Sequence, residues 1–357
     1  MPLSRVSSIM LCAAVAVGMP ASGATAAATH QVAPACAAGH GKIAEEGFVA
    51  IGGIEQWITI AGEHCDAPVV LVLHGGPGNP MSPYAAAIYG PWQKDFVVVQ
   101  WDQRGAGRTF GRNPTAAEAP LSVEQMTRDG IEVAAHLTRR LNTTKLVLLG
   151  SSWGSVLGVH MAKARPDLFR GYVGAAQLVD AAENQGASVV KLTALALSEG
   201  DADTLAALEA LGPPPWRNPK NFGVLRKLLR RHEARTTDAA PAAWWKPDAA
   251  YATRQAMADD EAGEDHSYLQ FVGLQGDGMF ASIDLRRLGL RFEIPVVLIQ
   301  GSEDLVTVPE VARRYFDAIS APSKDFVLLP RTGHDPNPAM LEAQHEAVQK
   351  VIGAARR

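Results

Sequence analysis

Gly150-Ser151-Ser152-Trp153-Gly154 is a G-x-S-x-G pentapeptide set between an apolar run, Lys145 to Leu149, and a helix-like segment, Val156 to Ala164. A serine at a sharp strand-to-helix turn is lifted above the sheet edge, and larger flanking residues would clash in that turn. The chemistry open to such a serine is nucleophilic. With a base beside it, its hydroxyl can attack a carbonyl and carry an acyl group.

Ser152 then needs a base, a group that orients the base, and donors for the developing oxyanion. Asp304 lies in Gly301-Ser302-Glu303-Asp304, just after the apolar run Pro295 to Gln300. His334 lies in Thr332-Gly333-His334-Asp335, just after Asp325 to Leu329. Both fall where strands are expected to end, on the edge where Ser152 emerges and where open α/β sheets bind ligands. In this reading His334 takes the Ser152 proton and returns it to the leaving group, while Asp304 fixes the imidazole tautomer. A lone Asp after a strand is otherwise a turn or cap residue. Glu303 is the nearest competitor for the acid, and Asp335 reads as a loop residue. His74-Gly75-Gly76-Pro77-Gly78 follows the run Pro68 to Leu73. The N–H of Gly76, with that of Trp153, is the expected oxyanion hole; the alternative is a plain Gly-Pro turn. His74 reads as a brace rather than a second base.

The elements that must position these groups follow from periodicity. Phe48 to Ile51 and Glu55 to Ile60 flank Gly52-Gly53 as a hairpin. Pro68 to Leu73, Phe96 to Trp101, Lys145 to Leu149, Gly171 to Leu178, Pro295 to Gln300 and Asp325 to Leu329 are strand-like. Continuous apolar runs among them suit strands buried on both faces. Helices are expected over Ser82 to Lys94, from Ser122 (capping box with Gln125) to about Leu141, and over Pro338 to Ala354. Strands alternating with helices imply an α/β fold with a mostly parallel central sheet. The alternation breaks between about Asp180 and Arg291, which reads as a mainly helical cap inserted between the sixth and seventh strands.

Composition supports one core of this kind: 47% of the 357 residues are hydrophobic and 20% charged, as in a soluble globular protein. A net charge of −4 with mixed signs gives no reason to expect nucleic acid or an anionic membrane as partner. Arg5, the uncharged run Val6 to Met19 and the small residues Ala24 to Ala28 have the form of a signal peptide, so an exported protein, periplasmic or secreted, is expected, with no stable membrane insertion after cleavage. The expected organisation is a signal peptide over 1–28, a linker over 29–44, the core over 45–179, the cap over 180–291 and the rest of the core over 292–357. Cys36 and Cys65 would remain after cleavage, as a disulfide or as two free thiols.

Taken together, His74 to Gly78, Asp102-Gln103-Arg104-Gly105-Ala106-Gly107-Arg108, Gly150 to Ser155, Gly301 to Asp304 and Gly333-His334 resemble the proline iminopeptidase family of α/β-hydrolases. The resemblance covers about residues 45–180 and 290–355. It implies the α/β-hydrolase fold with a cap, release of N-terminal residues (often proline) from short peptides, and no metal or organic cofactor. It also implies that acidic residues, some from the cap, hold the substrate's free amine. Glu264-Asp265-His266-Ser267-Tyr268 is a loose echo of the family's acidic-aromatic pattern, so Glu264 and Asp265 are the candidates there, with a solvated acidic face as the alternative. Trp216, Trp244 and Trp245 suit either a cap core or an apolar substrate pocket, with Trp244 the candidate for substrate contact. Arg104 reads as structural. A carboxylesterase or lactonase using the same Ser152, Asp304 and His334 on small esters is the competing expectation. An idle ligand receptor is disfavoured by the complete set of groups, and dehalogenase chemistry by a Ser where an Asp nucleophile would stand.

Overall fold

The computed structural model describes residues 41–114 and 119–354. The expected signal peptide and Cys36 lie outside them. Cys65 is buried and disulfide-bonded.

Eight strands form one sheet: β1 Ile43–Ile51, β2 Ile54–Gly62, β3 Val69–Leu73, β4 Val97–Trp101, β5 Leu146–Ser151, β6 Phe169–Ala175, β7 Val296–Gly301 and β8 Lys324–Leu329. Their order is β1-β2-β4-β3-β5-β6-β7-β8. The hairpin β1–β2 joins β4 antiparallel, and the pairs from β4 onward are parallel. Every residue of β3, β4 and β7 is buried, because helices cover both faces.

Ten α-helices accompany the sheet among the described residues: α1 Ala85–Tyr89, α2 Gly107–Arg112, α3 Val123–Arg140, α4 Trp153–Ala164, α5 Ala181–Glu199, α6 Ala202–Leu211, α7 Pro219–Thr236, α8 Arg254–Val272, α9 Pro309–Ala318 and α10 Pro338–Ala354. Helices α3, α4 and α9 pack their apolar sides into one core cluster, and α1 and α10 into a second on the other face of the sheet. None of the described helices is long and apolar enough to cross a membrane.

Two local expectations change. The single helix expected over 82–94 is a 3₁₀ turn, then α1, then a second 3₁₀ turn with Pro91 in its first positions. Proline lacks the N–H that would continue the α ladder. At α3 the Ser122 side chain accepts from Gln125 N at 3.1 Å, but the Gln125 amide turns to Asp129 Oδ1 at 2.7 Å, so only half of the capping box forms.

Between β6 and β7 the chain leaves the sheet for α5 to α8 and short 3₁₀ turns. This helical insertion has a small core of its own, in which Leu192, Leu208, Trp216, Leu225 and Leu229 meet Leu305 of the loop after β7. Trp216 is therefore a packing residue.

Candidate active site

Ser152 sits between β5 and α4 with φ 55° and ψ −120°, a left-handed conformation that a non-glycine residue rarely adopts. Such strain costs roughly 1–3 kcal/mol and persists only where the surroundings enforce it. They do so here by crowding. A Cβ on Gly150 would lie 2.3 Å from the Gly154 carbonyl oxygen, and one on Gly154 would lie 2.0 Å from that of Leu73. The glycines are demanded by close backbone approach, while the serine itself carries the unusual φ. The Ser155 hydroxyl donates to the Ser152 carbonyl at 2.6 Å, and Leu178 N donates to Ser155 Oγ at 3.0 Å, tying the turn to the exit of β6.

His334 Nε2 stands 3.0 Å from Ser152 Oγ, and its Nδ1 lies 3.1 and 3.2 Å from the two Asp304 carboxylate oxygens. Asp304 is fully buried. Val306 N and Thr307 N donate to its Oδ1 at 2.9 and 2.7 Å, and the Thr307 hydroxyl donates to Oδ2 at 2.6 Å. Burial works to raise the Asp304 carboxyl, but His334 and the Thr307 donors outweigh it and hold the group below its ordinary value. Glu303 accepts from its neighbour Ser302, and Asp335 pairs with Arg230 at 3.3 Å. Neither takes the orienting position beside the imidazole.

The loop after β3 lies against the serine: a Cβ on Gly75 would be 3.3 Å from Ser152 Cβ. The N–H groups of Gly76 and Trp153 have no protein acceptor among the described residues, as expected for a loop and for the first turn of a helix. His74 is buried, and burial lowers it to about 4, so the ring is neutral. Its Nδ1 meets the Gly75 carbonyl at 2.8 Å and its Nε2 accepts from Gln103 N at 3.1 Å. The Gln103 side chain donates to the His74 carbonyl and accepts from the Trp153 indole at 2.9 Å. Gln103 thus binds the loop after β3 to the start of α4. Arg104 clasps buried Asp129 at 2.7 Å and the Gly52 carbonyl at 2.8 Å, a structural contact.

A cavity of about 570 Å³ opens over Ser152, His334, Gly76 and Trp153, roofed by α5, α7 and α8. Its lining corrects two of the three substrate contacts expected from sequence. Glu264 lines it, but Asp265 does not; Asp260 does. The acidic stretch is part of α8 rather than a loop, and at 3.6 residues per turn Asp260 and Glu264 share a face while Asp265 points about 100° away. Trp244 packs against the apolar cluster that includes Tyr89 and Trp92, and Trp245 turns to the cavity, edge-on to Tyr84 at 5.6 Å. Asp260 Oδ1 is buried with no hydrogen-bond donor. Burial, and next the Glu264 charge, push this carboxyl up to about 6.

Sequence reasoning missed Glu233, on α7. It is buried, and its carboxylate accepts from Leu305 N at 2.7 Å and from His334 N at 3.2 Å. The insertion therefore grips both loops that present the acid and the imidazole. A charged residue in a helix rich in Arg and Lys carries no local signal of such a contact.

Residues 65–337 match the family described as serine aminopeptidase, S33. A Bacillus subtilis protein described as the probable aminopeptidase YbaC is 27% identical over 81% of this chain and 90% of its own length. A probable proline iminopeptidase of Streptomyces coelicolor is 29% identical over 84% of this chain and 92% of its own. The crystal structure of proline iminopeptidase from Mycobacterium smegmatis superposes with a TM-score of 0.63 at 20% identity, covering 87% of this chain and 99% of that one, which speaks to the fold. With this fold and this extent of match, the chain belongs to the serine aminopeptidase (S33) family of α/β-hydrolases and resembles the proline iminopeptidases.

Proposed function

We propose that the protein is a serine aminopeptidase that removes N-terminal residues, proline preferred, from short peptides through an acyl-enzyme on Ser152. The single observation that carries this reading is the continuous chain Ser152 Oγ, His334, Asp304 beneath a cavity whose roof bears Asp260 and Glu264, neither ion-paired among the described residues.

Ser152 Oγ attacks the scissile carbonyl as His334 Nε2 takes its proton. The oxyanion accepts from the N–H groups of Gly76 and Trp153, each such donor worth roughly 3–4 kcal/mol in the transition state. Collapse breaks the C–N bond, and His334 gives its proton to the leaving amine. Water, deprotonated by His334, then attacks the acyl ester and restores Ser152. Asp304, ionised at neutral pH, stabilises the imidazolium in both steps. The helical insertion acts as a cap. Asp260 and Glu264 hold the substrate's ammonium, because a desolvated cation needs a carboxylate partner and Asp260 Oδ1 lacks a donor. Export through a cleaved leader belongs to the same proposal, supported by the disulfide at Cys65. N-terminal sequencing of the mature protein tests it, and an intact leader would count against it.

The deciding experiment pairs fluorophosphonate labelling with substrate choice. Ser152 should be labelled, with the label lost in Ser152→Ala, and prolyl arylamides should be cleaved faster than N-blocked ones. Equal rates, or activity confined to p-nitrophenyl esters, would turn the reading to a carboxylesterase.

A further inference from the structure

The cavity over Ser152 has two poles of opposite charge. Helix α8 contributes Asp260 and Glu264, and α7 contributes Arg226 and Arg230. Glu264 lies over the oxyanion loop, where a Cβ on Gly78 would be 3.1 Å from its Cα. The arginines lie over the histidine loop. Arg226, Arg230 and Glu233 fall at i, i+4 and i+7, on one face of α7. Arg230 pairs with Asp335 and Glu233 accepts from His334 N, which fixes that face against the loop carrying His334.

Arg226 stands out on this face. Arg230 has Asp335 as a partner, whereas Arg226, half-buried in the cavity wall, makes no hydrogen bond or ion pair among the described residues. Burial works against its charge, as does Arg230, and the attraction of Asp335, Glu233 and Asp304 only partly offsets them. A guanidinium does not lose its proton in such a place, so the site holds a cation in want of an anion. Among the described residues no ion pair links it to Asp260 or Glu264, so the two poles do not satisfy each other across the empty space.

Resting on the aminopeptidase reading above, we propose that Arg226 receives the C-terminal carboxylate of a dipeptide or tripeptide, so that the cavity selects short peptides with both ends free. The direction is set by the chemistry. The leaving amine is protonated by His334 and departs on its side of Ser152, the side on which Arg226 stands. Arg226 stands seven positions before Glu233 on α7, about 10 Å along the axis, and Glu233 marks the His334 end because it accepts from His334 N. One or two extended residues, at about 3.5 Å each, together with the reach of the guanidinium, span that distance. A guanidinium also presents paired N–H donors that match a carboxylate.

The test compares Pro-Gly and Pro-Gly-Gly with their C-terminal amides on the intact protein. Free acids should be preferred in kcat/KM by about 10- to 100-fold, the range of one charge-assisted pair. In Arg226→Gln the ratio of acid to amide should fall toward one, and Arg226→Lys should keep part of it. Equal kcat/KM for acid and amide in the wild type, or an unchanged ratio in Arg226→Gln, overturns the proposal. Prolyl arylamide, which has no carboxylate, reports the aminopeptidase reading separately. If no peptide is cleaved, the same pairs serve as competitors of fluorophosphonate labelling at Ser152. Stronger protection by the free acids, lost in Arg226→Gln, supports the role of Arg226, and equal or absent protection overturns it.

Discussion

Asp304, at the sheet edge, takes hydrogen bonds from two backbone N–H groups and a threonine hydroxyl in addition to His334. Asp260, in the helical roof, leaves one buried carboxylate oxygen with no donor among the described residues. The same contrast separates the cations: Arg104 beneath the loops is clasped by Asp129, while Arg226 in the roof has no hydrogen bond or ion pair among the described residues. The Asp304 and Arg104 side chains at the edge are satisfied by the protein itself and so keep their geometry before substrate arrives. Groups in the roof are left to be satisfied by what enters. A buried polar group without a partner costs about 1–3 kcal/mol, so an unsatisfied roof is a cost that binding can relieve.

The sharpest break of that contrast is at the edge. Ser152→Ala should lower kcat by roughly 10⁴-fold or more, with KM and melting temperature little changed, since removal of a serine nucleophile has effects of that order. A loss under ten-fold would show that the serine is not the attacking group. Glu233 tests the boundary between the two regions, since it belongs to the insertion but is spent on the edge. Glu233→Gln sets an amide N–H₂ against one of two backbone N–H donors, so kcat should fall about 10- to 100-fold with a smaller change in KM. Burial, and next the Asp304 charge, raise the Glu233 carboxyl to about 7 from an ordinary value near 4.5. For a raised carboxyl the folded state holds the proton longer than the unfolded chain, so its stabilising contribution is present at low pH and is lost as pH rises through about 7. The stability advantage of wild type over Glu233→Gln should therefore shrink between pH 5 and pH 8 in thermal melts. An advantage that grows over that interval would contradict the burial argument.

What was legible in the sequence divides along the same line. The edge could be read because its parts are local. An apolar run ends and a glycine-flanked serine, an aspartate or a histidine follows, and the parallel sheet brings those ends together. The eight strands come out in the expected places for that reason, with β1 beginning at Ile43 rather than at the expected Phe48. The roof could not be read in the same way. Its contacts depend on which face of a helix turns inward, and α8 has apolar and charged residues distributed around its circumference, so no stripe marks the inner face. Asp265 and Trp244 were expected in the cavity, and Asp260, five residues before the first, and Trp245, next to the second, are there instead. Glu233 was invisible for a related reason: its partners are backbone N–H groups 72 and 101 residues further along the chain.

On the roof the expected effects are on binding. Asp260→Asn and Glu264→Gln should raise KM for prolyl arylamides about 10- to 100-fold, the range of a lost charge-assisted hydrogen bond, while kcat changes less. Because the Asp260 carboxyl is raised to about 6, acidification below that value protonates it and should remove the hold on an ammonium proposed for it. Wild-type KM should rise as pH falls through about 6, and Asp260→Asn should lose that limb. A KM that stays flat between pH 5 and 8 in the wild type would remove Asp260 from amine recognition.

The smallest effect tests the helical phase itself. Asp265 is exposed on α8, about 100° around the axis from Glu264 and outside the cavity lining. Asp265→Asn removes the same charge as Glu264→Gln does, one residue away, so long-range electrostatics and net charge change almost equally in the two variants. Only the direction of the side chain differs. Both carboxylates are exposed, so screening at ordinary salt acts on both; if the roof recognises the amine by direct contact, Asp265→Asn should stay within about two-fold of wild type in KM because its side chain lies outside the cavity lining, while Glu264→Gln does not. Equal rises in both would mean that the amine responds to the general negative field of α8 rather than to a carboxylate aimed at it, and the contrast between a satisfied edge and a selective roof would then reduce to one of charge density.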